Sequence, residues 1–388
     1  MYLSRKFCMR FCIYYLLTTV CICCYHTQVF TQPKIKKASF QLRFINSYEL
    51  PFQTQFKNTT FGGLSGIDYD AKNNLYYLIC DDRSAINPAR FYTAQINISS
   101  TRIDTIIIKD VYNLLQADGM VFPNNKQNPL LTPDPEAIRY NPKNKSLVWT
   151  SEGDRNLNTN VLVQPSITFM QTNGTFTDTC SLPTQLYMHK EEKGPRQNGV
   201  LEGLTFANNY KFLYVNVEEP LYEDAPKADV TDNNPWIRFF KFNVRTKRNV
   251  AQFAYKLDPV AYPATPANAY KVNGVPDILE IGKNRFLVIE RSFSTGRLPC
   301  TVKVFDVDMS EATNIINIPS LKNNTQFIAA TKKLILNMDD LGIYTDNIEG
   351  VTFGPTLPNG NKTLLFVADN NFSPMQKNQF LLFEVMEK

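Results

Sequence analysis

Five short segments decide how this chain folds: Leu64-Ser65-Gly66-Ile67, Pro135-Glu136-Ala137-Ile138, Leu201-Glu202-Gly203-Leu204, Pro276-Asp277-Ile278-Leu279 and Ile348-Glu349-Gly350-Val351. They align without gaps, and their second positions stand 71, 66, 75 and 72 residues apart. A period of that size marks a repeat architecture, in which each unit buries its apolar faces against its neighbours. Each segment is followed by a turn rich in Asn, Lys or Gly and then by an apolar run ending in charge, at 75–82, 147–154, 212–219, 286–291 and 364–370. Val, Ile, Leu and aromatics at this length read as strands. A third strand recurs at 91–96, 167–171, 237–244, 302–307 and 380–385, and a fourth is predicted at 105–109, 249–257 and 314–318.

Four antiparallel strands per repeat make a propeller blade. The last repeat stops after its third strand, and 40–50 has the length to supply the missing outer one, which closes the ring and removes two exposed edges. The expected fold is all-β, a five-bladed β-propeller; a six-bladed ring with one blade lacking the motif is the alternative. Five such repeats leave no room for a second domain, so 27–388 reads as one. Helix is expected only as short connections at 111–117 and 338–341.

The start of the chain differs. Arg5, Lys6 and Arg10 precede an uncharged stretch of 14 residues, 11–24. This is the signal-peptide pattern, too short for a bilayer span, and 1–26 are assigned to it. The protein is thus expected to be secreted or extracytoplasmic, in the periplasm or at the cell surface. A lipid anchor on Cys21, Cys23 or Cys24 is the alternative, though no small-residue lipobox precedes them. Of eight cysteines only Cys80, Cys180 and Cys300 remain beyond the leader, to form either one disulfide and a thiol or three buried thiols. The 41 basic and 36 acidic residues give a net charge of +5. The basic ones are scattered along the sequence, so nucleic acid is not an expected partner; a monomer without an internal membrane span is expected.

Within a blade the start of the innermost strand and the end of its neighbour share one end of the sheet. Two acidic sets therefore meet at one mouth of the channel. The inner set is Glu136, Glu202, Asp277 and Glu349, with Ser65 in the fifth place; the next is Asp81 or Asp82, then Glu152, Glu218, Glu290 and Asp369. Each close pair of carboxylates at about 4 Å costs on the order of 4 kcal/mol at an effective dielectric near 20. A hard cation, Ca²⁺, is the expected compensation, held by Asp82, Glu136, Glu152, Glu202, Glu218, Asp277, Glu290, Glu349 and Asp369. Arg83, Arg155 and Arg291 follow the second set almost directly and are expected to form ion pairs with it or, in a hydrolase, to hold an anionic substrate. Capping of turns is the competing role for any single acid, and Asp339, Asp340 and Asp346 read as loop solvation. Beyond the leader boundary His189 is the only histidine, which excludes a histidine-rich zinc site; no G-x-S-x-G elbow or phosphate-cradling glycine loop occurs.

Segments 63–69, 78–83, 134–138, 201–204 and 347–351 together resemble the phytase-like, "esterase-like activity of phytase" family, over roughly residues 60–385. The resemblance implies a secreted or periplasmic propeller and the hydrolysis of a small anionic ester or phosphoester. The histidine acid phosphatase signature R-H-G-x-R-x-P is absent. A Ca²⁺-dependent hydrolase would use Glu136, Glu202 and Glu349 as its catalytic carboxylates. A non-enzymatic binding module using the same rim remains the alternative.

Overall fold

Each motif segment opens the innermost strand of a four-stranded antiparallel sheet. The computed structural model describes residues 40–387 apart from 325, so the leader calls lie outside the described residues. Blade 1 runs outward through Leu64–Asp70, Leu75–Cys80, Arg90–Ile98 and Ile103–Asn113. Blade 2 uses Pro135–Asn141, Ser146–Ser151, Ser166–Gln171 and Phe176–Thr179, and blade 3 uses Leu201–Ala207, Phe212–Val217, Trp236–Asn243 and Arg248–Lys256. In blade 4 the inner strand is split into Lys271–Gly274 and Ile278–Gly282, followed by Arg285–Ser294, Arg297–Asp308 and Thr331–Asn337. Blade 5 comprises Asn347–Phe353, Thr363–Asp369, Asn378–Glu387 and, from the other end of the chain, Phe40–Leu50.

The inner strands touch in the order 1, 2, 3, 4, 5 and back to 1, which closes a five-bladed propeller. The closing strand pairs from Phe40 with Glu387 to Leu50 with Asn378, and Phe44 packs on Phe383 with ring centroids 5.3 Å apart. Second strands are sandwiched between blades, so 76–80, 147–151 and 364–369 are buried throughout. Each fully buried Leu, Ile, Val or Phe there contributes about 1.5–3 kcal/mol.

Two predicted elements differ. The outer strand of blade 4 is Thr331–Asn337 rather than 314–318, because the latter lies in a loop where Ile315 and Leu321 pack on Ala254 of blade 3. Residues 111–113, expected to begin a helix, continue the outer strand of blade 1. Met338–Leu341 is a short 3₁₀ turn, as expected. Cys80, Cys180 and Cys300 are buried free thiols, the second of the two arrangements open from the sequence. No helix among the described residues is long and apolar enough to cross a membrane.

At every motif the inner strand carries one extra residue. Gly66 pairs with Ile79 but Leu64 with Cys80, leaving Ser65 unpaired; Glu349 is left out in the same way between Ile348 and Gly350. Glu136-Ala137 and Glu202-Gly203 each oppose a single partner residue. In blade 4 three residues, 275–277, oppose two. Such bulges turn a side chain out of the regular alternation, here at the acidic position. Three are tied to the next blade: Ser65 Oγ donates to the Glu136 carbonyl (2.6 Å), Thr150 Oγ1 to that of Glu202 (3.2 Å), and Asn216 Nδ2 to that of Val275 (2.8 Å). The glycine beside the acid permits this approach, since a Cβ on Gly203 would lie 2.6 Å from Asp277 Cα.

Candidate functional site

The bulged acids and the ends of the second strands enclose a cavity of about 720 Å³ at one mouth of the ring. Nine carboxylates line it: Asp81, Asp134, Glu136, Glu152, Glu202, Glu218, Asp346, Glu349 and Asp369. Among the described residues two arginines, Arg83 and Arg291, line it as well. Both are engaged. Arg291 donates to Glu218 (2.8 Å), Glu349 and Asn347, and Arg83 bridges Asp154 (2.7 Å) and Asp134 (3.5 Å).

Of the expected residues, Glu136, Glu152, Glu202, Glu218, Glu349, Asp369, Arg83 and Arg291 are brought together. Four are not. Asp82 caps its loop by accepting from the amides of Ala85, Ile86 and Asn87 and from buried Arg90 (2.7 Å), and Asp81 takes the cavity position. Glu290 is satisfied inside the fold by Tyr255, Asn273, Lys332 and the Asp258 amide. Asp277 lies on the axis beneath the cavity, where both its oxygens accept from Arg139 (2.9 and 2.8 Å) and one from the Val351 amide. Arg139 comes from blade 2 and Asp277 from blade 4, so this fully buried pair crosses the channel. Arg155 is held by Tyr222 Oη (2.7 Å) and the carbonyls of His189 and Glu191.

Asp134 and Asp346 were missed as site residues. Asp346 is buried at the cavity wall, accepting from the Lys377 amide, rather than solvated in a loop. Asp134 stands two residues before Glu136 and opens the segment 134–138 that carries part of the family resemblance. Asp134, Glu136 and Glu152 bring one oxygen each to within 4.8 Å of one another.

Burial dominates the electrostatics. It holds the Asp134 carboxyl up at about 8, Glu152 at about 7 and Glu349 at about 8, in each case against the pull of nearby donors or arginines. Glu136 and Glu202 stand well above the usual carboxylate range through burial, reinforced by each acid's carboxylate neighbours. The contact between Glu202 and Glu152 pushes Glu202 further up and draws Glu152 down. Asp81 and Asp369 are raised by burial and by like charge nearby. A buried cluster so short of positive charge, built wholly from hard oxygen donors, fits a hard divalent cation and not a soft one.

Fold and site together define a five-bladed propeller with a carboxylate-lined mouth. The chain belongs to the phytase-like family, described as esterase-like activity of phytase, whose sequence model matches residues 59–372. No curated protein matches it by sequence. Among solved structures it is similar to an exo-β-1,3-galactanase from Phanerochaete chrysosporium, at 12% identity and a TM-score of 0.45, over 89% of this chain and 64% of that one. It thus spans less than two thirds of the galactanase. It is also similar to the periplasmic gluconolactonase of Pseudomonas aeruginosa, at 9% identity and a TM-score of 0.36, over 85% of this chain and 89% of that one. Likeness at these scores says nothing about chemistry.

Proposed function

We propose that the mouth is the active site of a cation-dependent ester hydrolase working outside the cytoplasm. The observation that carries this reading is the imbalance of nine buried or half-buried carboxylates against two arginines in one open cavity. Asp134, Glu136 and Glu152 would hold the cation, with Ca²⁺ the first choice for an all-oxygen set. Bound there, the cation supplies a Lewis acid for a carbonyl or phosphoryl oxygen. With the cation's charge offsetting its raised affinity for protons, Glu202 would take the proton of the attacking water as general base. Arg291, paired with Glu349 in the same cavity, would stabilise negative charge developing on the substrate oxygen.

Glu202→Gln tests this assignment. Hydrolysis of phosphomonoesters and simple carboxylic esters should fall roughly 10²–10⁴-fold while Ca²⁺ binding persists. Full activity in that variant sinks the role of Glu202, and EDTA-insensitive turnover sinks the cation. The second reading, capture of a ligand without turnover, is supported by one fact: both cavity arginines already face carboxylates. It predicts Ca²⁺ binding with no activity on either ester class.

A further inference from the structure

We propose that the face opposite the mouth docks on an anionic lipid surface and holds the active-site cavity toward solution. In each blade the turns joining strands one to two and three to four lie on this far face. They span residues 71–74, 142–145, 208–211, 283–284 and 354–362 on the inner circuit, and 99–102, 172–175, 244–247 and 309–330 on the outer one. Among the described residues these nine turns hold ten Lys or Arg and a single acid, Glu311. Every inner turn contributes an exposed lysine: Lys72, Lys143, Lys211, Lys283 and Lys362. Two of the ten basic residues, Arg102 and Lys247, face carboxylates, those of Asp104 and Asp178. The mouth has the opposite sign, with its nine carboxylates and two arginines.

The geometry selects the partner. A linear polyanion is tracked by a stripe or groove, whereas these lysines come from all five blades and surround the axis. The opening at their centre, a cavity of about 650 Å³, carries Asp68, Asp70 and Glu280 beside Lys72, Arg139 and Lys362, a balance of charge that does not draw an anionic chain into it. A disc of positive charge matches a plane of anionic headgroups, to which each basic side chain adds attraction. Docked so, the acidic mouth points away from the membrane and stays open to soluble substrate.

Cosedimentation of the full chain with phosphatidylcholine vesicles, with and without phosphatidylserine, tests the proposal. Binding should require phosphatidylserine and be lost at about 0.5 M NaCl, where surface charges are screened. The combined variant Lys72→Glu, Lys211→Glu, Lys283→Glu and Lys362→Glu should bind at least roughly a hundredfold more weakly. Residues 1–39 are present in both proteins, so only the far face differs. Equal binding to both vesicle types, retention of binding by the variant, or capture by soluble heparin without vesicle binding overturns the proposal. If the variant does not fold, as judged by circular dichroism, the salt titration of the unmodified chain decides: binding that survives about 0.5 M NaCl overturns it.

Discussion

Raising the pH should destabilise the cation-free protein and enlarge the stabilisation that Ca²⁺ provides. Burial holds Asp134 at about 8 and Glu152 at about 7, against ordinary values of 3.8 and 4.5. A carboxyl raised in this way binds its proton more tightly in the folded chain than in the unfolded one. Its cost is absent below the unfolded value and grows as the pH climbs toward the folded value. For Glu152 alone the difference amounts to about 3 kcal/mol above pH 7, at about 1.4 kcal/mol for each tenfold change. Because the triad shares its protons the individual costs do not add, and about 3–6 kcal/mol is expected for the group. At about 2 °C per kcal/mol for a chain of this size, saturating Ca²⁺ should raise Tm by about 6–12 °C near pH 8. Near pH 5 the triad is still protonated, and the gain should be less than about a third of that. Calorimetry of EDTA-treated protein with and without CaCl₂ at the two pH values measures both gains. Glu136→Gln should stabilise the cation-free protein near pH 8 and abolish the Ca²⁺ response. A Ca²⁺ shift equal at both pH values, or one that survives Glu136→Gln, refutes the triad as the site.

Arg139→Met should cost about 3–5 kcal/mol in urea unfolding near pH 8, because it leaves Asp277 buried and unpaired. Asp277 stands at about 6 even beside Arg139, and higher without it, so the loss should shrink near pH 5, where Asp277 takes up a proton. Gly203→Ala should cost about 1–3 kcal/mol by forcing a Cβ to within 2.6 Å of Asp277 Cα and Asn216 Oδ1, whereas Gly282→Ala, with nothing within 4 Å, should stay within about 0.5 kcal/mol. Inositol hexakisphosphate should be hydrolysed far more slowly than p-nitrophenyl butyrate, since a polyanion meets nine carboxylates while an acyl group meets Tyr270, Phe293, Leu298 and Met375. A faster rate on the hexakisphosphate would contradict that charge argument.

The ring was legible because its signal is periodic: one acidic motif near every seventieth residue, each followed by strand-like runs. The site was legible only in part, and alternation explains the misses. At a strand end one residue faces the cavity and the next faces the blade, so a slip of one position exchanges their roles. Asp81 takes the cavity and Asp82 the loop; Arg291 takes the cavity and Glu290 the blade interior. The bulges that re-aim the inner acids leave no mark in the sequence beyond the glycines at 66, 203 and 350. Asp346 lies in a connection whose path depends on contacts with Gln379 and the Lys377 amide, far away in sequence. The basic face was hidden for a related reason. Successive turns of an antiparallel blade alternate between the two ends, so charges that interleave along the chain read as scattered until the fold sorts them.

That sorting also explains how a chain of net charge +5 can leave one mouth short of positive charge. The far-face lysines and the mouth carboxylates are separated by the length of an inner strand. In blade 1 this strand is 7 residues, which at about 3.3 Å per residue is about 23 Å. Screening at physiological salt reduces solvent-exposed interactions beyond about 8 Å, so the lysines leave the mouth nearly uncompensated. Within the cavity Arg83 and Arg291 set two positive charges against nine carboxylates, and burial raises Asp134, Glu136, Glu152, Glu202 and Glu349 among them. At neutral pH the raised carboxyls still hold part of their protons. Cation binding must therefore displace them, and the mouth should release protons as it fills. Proton uptake or release measured by titration in two buffers of different ionisation enthalpy thus reports on the site directly. A Ca²⁺ binding enthalpy that is the same in both buffers would place the cation elsewhere.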